Sequence, residues 1–163
     1  MPSMTKEEVD KFLQEPVLAR VGFITEDGSP TVIPVWFDYD GENIFLIARQ
    51  RSKWLDYITK DPRVCVTIDA DKLPYEKVII QGVASIIDDD WLPYGERCAA
   101  RYFGNKKYLG QSIDQPRVMV KIPITKFVSW KAVGDGHYKE WHPRYLVPGT
   151  NWANKADAAK ANK

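Results

Sequence analysis

Ala19-Arg20-Val21-Gly22-Phe23-Ile24, Thr31-Val32-Ile33-Pro34-Val35-Trp36-Phe37 and Asn43-Ile44-Phe45-Leu46-Ile47-Ala48 decide the fold. Each run is rich in β-branched and aromatic residues, and two turn signals separate them, Asp27-Gly28-Ser29-Pro30 and Asp40-Gly41. The stretch predicts three strands in an antiparallel meander. Pro34 is awkward inside the second, because proline cannot donate to a ladder and prefers an edge or a bulge. Ile33-Pro34-Val35-Trp36 is therefore either an ordinary edge strand or a segment whose freed backbone groups face a ligand.

Toward the N-terminus, Thr5-Lys6-Glu7-Glu8 has the form of a capping box, with Val9, Phe12 and Leu13 on one helical face and Pro16 as the stop. Toward the C-terminus, Ser52 is a plausible N-cap for a helix from Lys53 to about Lys60. Trp54, Leu55, Tyr57 and Ile58 give that helix an apolar stripe, and Asp61-Pro62 ends it. Val64 to Ile68 reads as a fourth strand. Lys77 to Ile87 reads as a long fifth, with Gly82 marking a bulge or bend. A helical stretch from Asp88-Asp89-Asp90 to about Phe103 precedes a sixth strand, Arg117 to Ile122, resuming at Thr125 to Trp130 after Pro123. Six antiparallel strands with a helix inserted midway point to a small, mainly β barrel of Greek-key type. No regular alternation of strands and helices supports a parallel sheet, and no dinucleotide or P-loop motif is present.

Composition bounds the function. The chain has 163 residues, 44% of them hydrophobic, which suits one domain with a real core. We expect that domain to span 1–152, with an ordered loop or arm over 131–151 and a polar tail over 153–163. A net charge of +1 argues against nucleic acid, and no apolar run is long enough to span a membrane. Cys65 and Cys98 are too few for a disulfide framework and read as buried thiols in a reducing, cytoplasmic setting.

The most informative polar segment is Ala48-Arg49-Gln50-Arg51-Ser52-Lys53-Trp54, where cations and a hydroxyl meet at a strand-to-helix junction. Exposed amides and cations there suit a phosphate, and an anion would relieve the like-charge penalty of cations in a first helical turn. The alternative is a solvated basic loop. Arg97, Arg101, Lys106 and Lys107 extend a basic groove or, more simply, form a wet face. Trp130, ending the last strand, suits core or interface packing. His137 and His142, with Asp135 and Glu140 nearby, lack a recognised ligand spacing, so no metal site is assigned.

Taken in order, these segments resemble the pyridoxamine-phosphate-oxidase-like superfamily, the FMN-binding split barrels. The resemblance rests on Leu18 to Pro30, Ile33-Pro34-Val35-Trp36-Phe37, Ile47 to Lys53, Asp61-Pro62-Arg63-Val64 and Val78 to Ala84, and covers about residues 5–130. It implies a six-stranded antiparallel split β-barrel that binds FMN, or alternatively the 8-hydroxy-5-deazaflavin coenzyme (factor 420), at the interface of a homodimer. Arg51, Ser52 and Lys53 would hold the cofactor phosphate. Ile33, Pro34, Val35 and Trp36 would line the ring, with Ile47 and Ala48 beside it. Lys77 and Trp130 would reach the ring from the other subunit. The oxidases carry an Arg-Leu-His-Asp-Arg type motif where this chain has Lys131 to Glu140, and a family arginine is Thr31 here. Vitamin B6 oxidation is therefore not implied. Pro74-Tyr75 and the Arg-x-Arg-Ser-Lys form look closer to the branch using FMN or deazaflavin. The implied function is hydride transfer between that cofactor and a small conjugated substrate. The alternative is a non-catalytic flavin- or haem-binding carrier. No catalytic residue is assigned; Tyr138 and His137 are the candidate proton donors.

Overall fold

The computed structural model describes residues 3–72, 75–104 and 116–132, all within one unit, Met1–Val133. The expected boundary at residue 152, the 131–151 arm beyond residue 132 and the tail lie outside the described residues.

The first helix forms as its capping residues require. α1, Lys6–Phe12, starts with the Glu8 amide donating to the Thr5 hydroxyl (3.2 Å) while the Thr5 amide donates to the Glu8 carboxylate (2.9 Å). Val9, Phe12 and Leu13 are buried. β1, Ala19–Ile24, follows as the alternation predicted.

Among the described residues, six predicted strands resolve into nine segments, because three of them bend and change sheets. The second divides at Trp36 into β2, Pro30–Val35, and β3, Phe37–Tyr39. β4 is Asn43–Arg49, α2 is Trp54–Lys60 and β5 is Arg63–Asp69. The fifth predicted strand divides into β6, Glu76–Val83, and β7, Ser85–Ile87. α3, Leu92–Phe103, begins after the three aspartates, since Pro93 fits the first helical turn and the Leu92 amide donates to the Asp90 carboxylate (3.0 Å) outside it. The last strand divides into β8, Arg117–Pro123, and β9, Phe127–Lys131.

One sheet runs β2-β1-β5-β6-β9 and the other β3-β4-β8-β7, with every pairing antiparallel. The three bent strands join the sheets into a closed circuit: β1, β5, β6–β7, β8–β9, β4, β2–β3 and back to β1. The order of the first four strands is that of a Greek key. The mainly β reading with a few helices and a split barrel therefore holds. The predicted three-stranded meander keeps its order, but its middle strand is shared between the two sheets. β2 pairs with β1 in one sheet and β3 pairs with β4 in the other, because the chain turns out of the first sheet at Trp36.

The bend in the fifth strand also moves. Gly82 stays in the ladder opposite Val64, and the break comes at Ala84, whose amide donates to the Pro62 carbonyl (2.8 Å). A Cβ on Gly82 would lie 3.2 Å from Ile122 Cγ2 and 3.4 Å from the Pro123 carbonyl oxygen, so the glycine permits a close crossing of β8.

Inward residues Val21, Phe37, Ile44, Leu46, Val66, Ile68, Val78, Ile80 and Ile122 fill the barrel. α1 closes the end near Tyr39, Val78 and Phe127, and α2 the end near Phe23, whose ring stacks on Trp54 and Tyr57 at 6.4 and 5.9 Å. α3 lies outside the four-stranded sheet, over Phe45 and Asp38.

Candidate cofactor site

The break at Trp36 creates a notch. β4 is paired with β8 along its whole length, from Asn43 opposite Pro123 to Arg49 opposite Arg117. On its other side it is paired with β3 only from Ile44 to Leu46. The far edge of Ile47, Ala48 and Arg49 has no strand partner among the described residues. Beyond Trp36 the chain leaves for the other sheet, so the outer edge of Ile33, Pro34 and Val35 has none either. Pro34 sits exposed on an edge strand, and that edge borders the notch.

These predicted site residues differ in what they present. Ile33 and Val35 pack partly into the core, and Ala48 is buried. Trp36 packs under the end of α3, stacked on Tyr102 (5.1 Å between rings, 13° between planes) and edge-on to Phe103 (5.1 Å, 73°). The next register position beyond the pair Phe37 and Leu46 places Ile47 across from Trp36.

At the end of β4 the chain turns sharply. The Ser52 amide donates to the Arg49 carbonyl (2.8 Å), and the Gln50 amide donates to the Pro116 carbonyl (3.0 Å). Ser52 is not the N-cap. Lys53 occupies that position in helical conformation, and the chain winds early, with Leu55 and Asp56 donating to Ser52 and Lys53. The Ser52 hydroxyl is therefore left out of the cap. α2 has only seven residues, so anion affinity here rests on side chains and turn amides rather than on a helix end.

Seven cations among the described residues are held in salt bridges. Lys6, Arg20, Lys60, Arg63, Arg97, Arg101 and Lys131 all pair with carboxylates. Arg49, Arg51 and Lys53 are exposed and make no salt bridge, although the charge of Lys53 acts on the Glu26 carboxylate. Lys53 Nζ lies 5.8 Å from the Tyr57 ring centre. Arg49, Gln50, Arg51 and Pro116 line a cleft of about 490 Å³. Three exposed cations, a hydroxyl outside the helix cap and a cleft suit a phosphate-bearing group.

Lys77 and Trp130 do not join this set within one chain. They face each other across β6 and β9, with Lys77 Nζ 5.1 Å from the Trp130 ring centre, at the far edge of the five-stranded sheet and toward the α1 end. Tyr138 and His137 lie outside the described residues, as do His142, Asp135 and Glu140. Among the described residues no cluster of histidine, cysteine or carboxylate is suited to a metal.

Two expectations need correction. Cys65 is half-buried on the outer face of the five-stranded sheet, because strand alternation turns it outward; Cys98 is buried, and burial pushes its thiol up to about 12. Arg97 and Arg101 are not simply a wet face. Asp38, 2% exposed, accepts from Arg97 Nε (2.6 Å) and Arg101 Nη2 (3.1 Å). Sequence reasoning missed this group, although a lone acid between Phe37 and Tyr39 in an apolar strand is a signal for a buried ion pair.

The sequence profile of the pyridoxamine 5'-phosphate oxidase family matches residues 5–131, most of the chain and the whole barrel. The chain belongs to this family. Among curated proteins no relative matches it significantly. Solved structures agree on the fold. The conserved hypothetical protein Rv2991 from Mycobacterium tuberculosis is 24% identical, with a TM-score of 0.65 over 78% of this chain and 85% of its own. An F420 reductase is 22% identical, with a TM-score of 0.62 over 72% and 94%. A FAD-binding protein from Mesorhizobium loti is 18% identical, with a TM-score of 0.60 over 81% and 96%.

Proposed function

We propose that this protein binds a flavin, FMN or the 8-hydroxy-5-deazaflavin coenzyme, and uses it as an oxidoreductase on a small conjugated substrate. One observation carries the reading: three exposed cations in no salt bridge, Arg49, Arg51 and Lys53, cluster beside the notch opened at Trp36. Arg51, Ser52 and Lys53 would hold the phosphate. The backbone of Ile33 to Trp36, with Ile47 and Ala48, would border the ring. A bound flavin supplies hydride transfer at its central ring, and the protein supplies placement and a dry pocket. The names of the F420 reductase and the FAD-binding protein support a flavin-type ligand for this barrel.

The same reading calls for a homodimer. Lys77 and Trp130 reach a ring near Arg51 only from a second copy, and the outer face of the five-stranded sheet carries exposed Val32, Val83 and Val128. Sedimentation of the purified protein as a dimer is the expected result. The free thiols Cys65 and Cys98 suit a reducing cytoplasm.

The test is the absorption spectrum and mass of the ligand released from purified protein, followed by titration with FMN and with deazaflavin. Arg51→Ala and Lys53→Ala should each weaken binding roughly ten- to hundredfold, from about 1.5–3 kcal/mol per charge-assisted hydrogen bond. Unchanged affinity in both variants removes the phosphate assignment. Tight binding with no transfer to any acceptor favours the carrier alternative.

A further inference from the structure

Asp38 has no place in the cofactor reading above, yet it is the most deeply buried charged residue described. It lies on β3, two residues after Trp36, and is aimed outward at α3. A buried carboxylate is tolerated only when its partners replace water. Here Arg97 and Arg101 do so, and Arg101 does more. Its guanidinium also donates to the Phe37 carbonyl (2.9 Å) and to Gln14 Oε1 (3.0 Å), and it is only 9% exposed. Cys98 reaches the same Phe37 carbonyl (3.4 Å), and the Tyr102 hydroxyl donates to the Val17 carbonyl (2.7 Å). These bonds fasten the C-terminal half of α3 to Phe37 and Asp38, just after Trp36, and to the segment between α1 and β1. The next turn of that helix carries Tyr102 and Phe103, the two rings that hold the Trp36 indole.

We propose that Asp38 is a positioning residue: by anchoring Arg97 and Arg101 it fixes α3, and α3 fixes the Trp36 side chain at the point where the barrel splits. The geometry makes this specific. Phe103 is 60% exposed and has little packing of its own to hold it, so its place against Trp36 depends on where the helix is fixed. Trp36 in turn borders the notch between β2 and β4. The consequence for cofactor affinity rests on the flavin reading; the control of Trp36 does not.

The experiment uses the full-length protein, Asp38→Asn, Trp36→Phe and the double variant. The near-UV circular dichroism of wild type minus that of Trp36→Phe isolates the stacked indole. Asp38→Asn should lose more than half of that difference while its far-UV spectrum is unchanged. In titration with FMN or deazaflavin, each single variant should raise Kd roughly fivefold or more, and the double variant no further than the worse single, as linked groups behave. A full Trp36 signal in Asp38→Asn overturns the proposal, and so do multiplicative losses in the double variant. Lost Trp36 signal in a protein that binds neither flavin supports the positioning role and defeats the flavin reading. If Asp38→Asn does not fold, Arg97→Ala, which removes the more exposed arm of the clamp, should reduce the same dichroic signal; a full signal there also overturns the proposal.

Discussion

Replacing Gly82 with alanine tests the barrel geometry at its tightest crossing. The new Cβ would meet Ile122 Cγ2 at 3.2 Å and the Pro123 carbonyl oxygen at 3.4 Å. Neither can withdraw freely. Ile122 is fully buried among core side chains, and β8 is held between β4 and β7. Overpacking of this kind costs about 1–3 kcal/mol. Alanine returns part of that, about 0.5–1 kcal/mol, by restricting the unfolded chain. The net expectation is a loss of about 0–2.5 kcal/mol, the middle of that range, ~1.2 kcal/mol, being worth roughly 2–5 °C in Tm for a chain of this size. Urea denaturation should show a lower midpoint with an unchanged m-value. Gly22→Ala is the internal control. Its Cβ would find only ordinary contacts, the nearest the Cys65 carbonyl oxygen at 3.4 Å, so it should be neutral or stabilising. A double-mutant cycle with Ile122→Ala should show coupling above about 0.5 kcal/mol, since the clash disappears with the side chain. If Gly82→Ala is as stable as wild type, the crossing is looser than described and the argument fails.

Other consequences are simpler. Thr5→Ala removes one half of the capping box on α1 and should cost about 1 kcal/mol in chemical denaturation, against nearly nothing for Glu7→Ala beside it. Burial holds Cys98 up to about 12 against an ordinary 9.0, and Tyr102 up to about 12 against 10.0. The stability these two groups contribute is therefore full below about pH 9 and declines as pH climbs toward 12, where the unfolded chain gives up protons that the folded one keeps. Each group adds a slope of about 1.4 kcal/mol per pH unit inside its window. Urea midpoints that stay flat through this range, or an equal decline in Cys98→Ala, would contradict it. The Arg63 guanidinium holds the Asp61 carboxyl down to about 2 from 3.8, so its NMR titration should move back up in Arg63→Ala.

Much of this architecture was legible in the sequence because local chemistry and tertiary role coincide. Thr5 and Glu8 can be read as a cap without knowing what the helix covers, and Asp27-Gly28 and Asp40-Gly41 mark turns whose glycines adopt positive φ. Of the sheet changes, Pro123 marked the one between β8 and β9, but the other two were not legible. Trp36 and Ala84 carry no breaker signal. The chain bends there because the barrel must close, a requirement that comes from strands far away in sequence. Ser52 misled for a related reason. Serine before a helical stripe favours a cap, but the Ser52 amide closes a turn on the Arg49 carbonyl and the chain is already helical at Lys53. Of the candidate site, Arg51, Ser52 and Lys53 follow Ile47 and Ala48 by chain continuity, and the strand register sets Trp36 beside them. The separation of Lys77 and Trp130 depends on strand order, which no local pattern encodes.

The pairing of β4 with β8 has a consequence for how the molecule comes together. Residues 43 and 123 meet at one end of this seam, and 49 and 117 at the other. Neighbouring hairpins can form from short stretches of chain, but this last stitch waits until nearly the whole domain has been drawn in, a slow event by loop entropy alone. The basic turn at Arg49 to Lys53 springs from the same seam. Until the final strand is laid down, the residues that would grip a phosphate have no cleft to share.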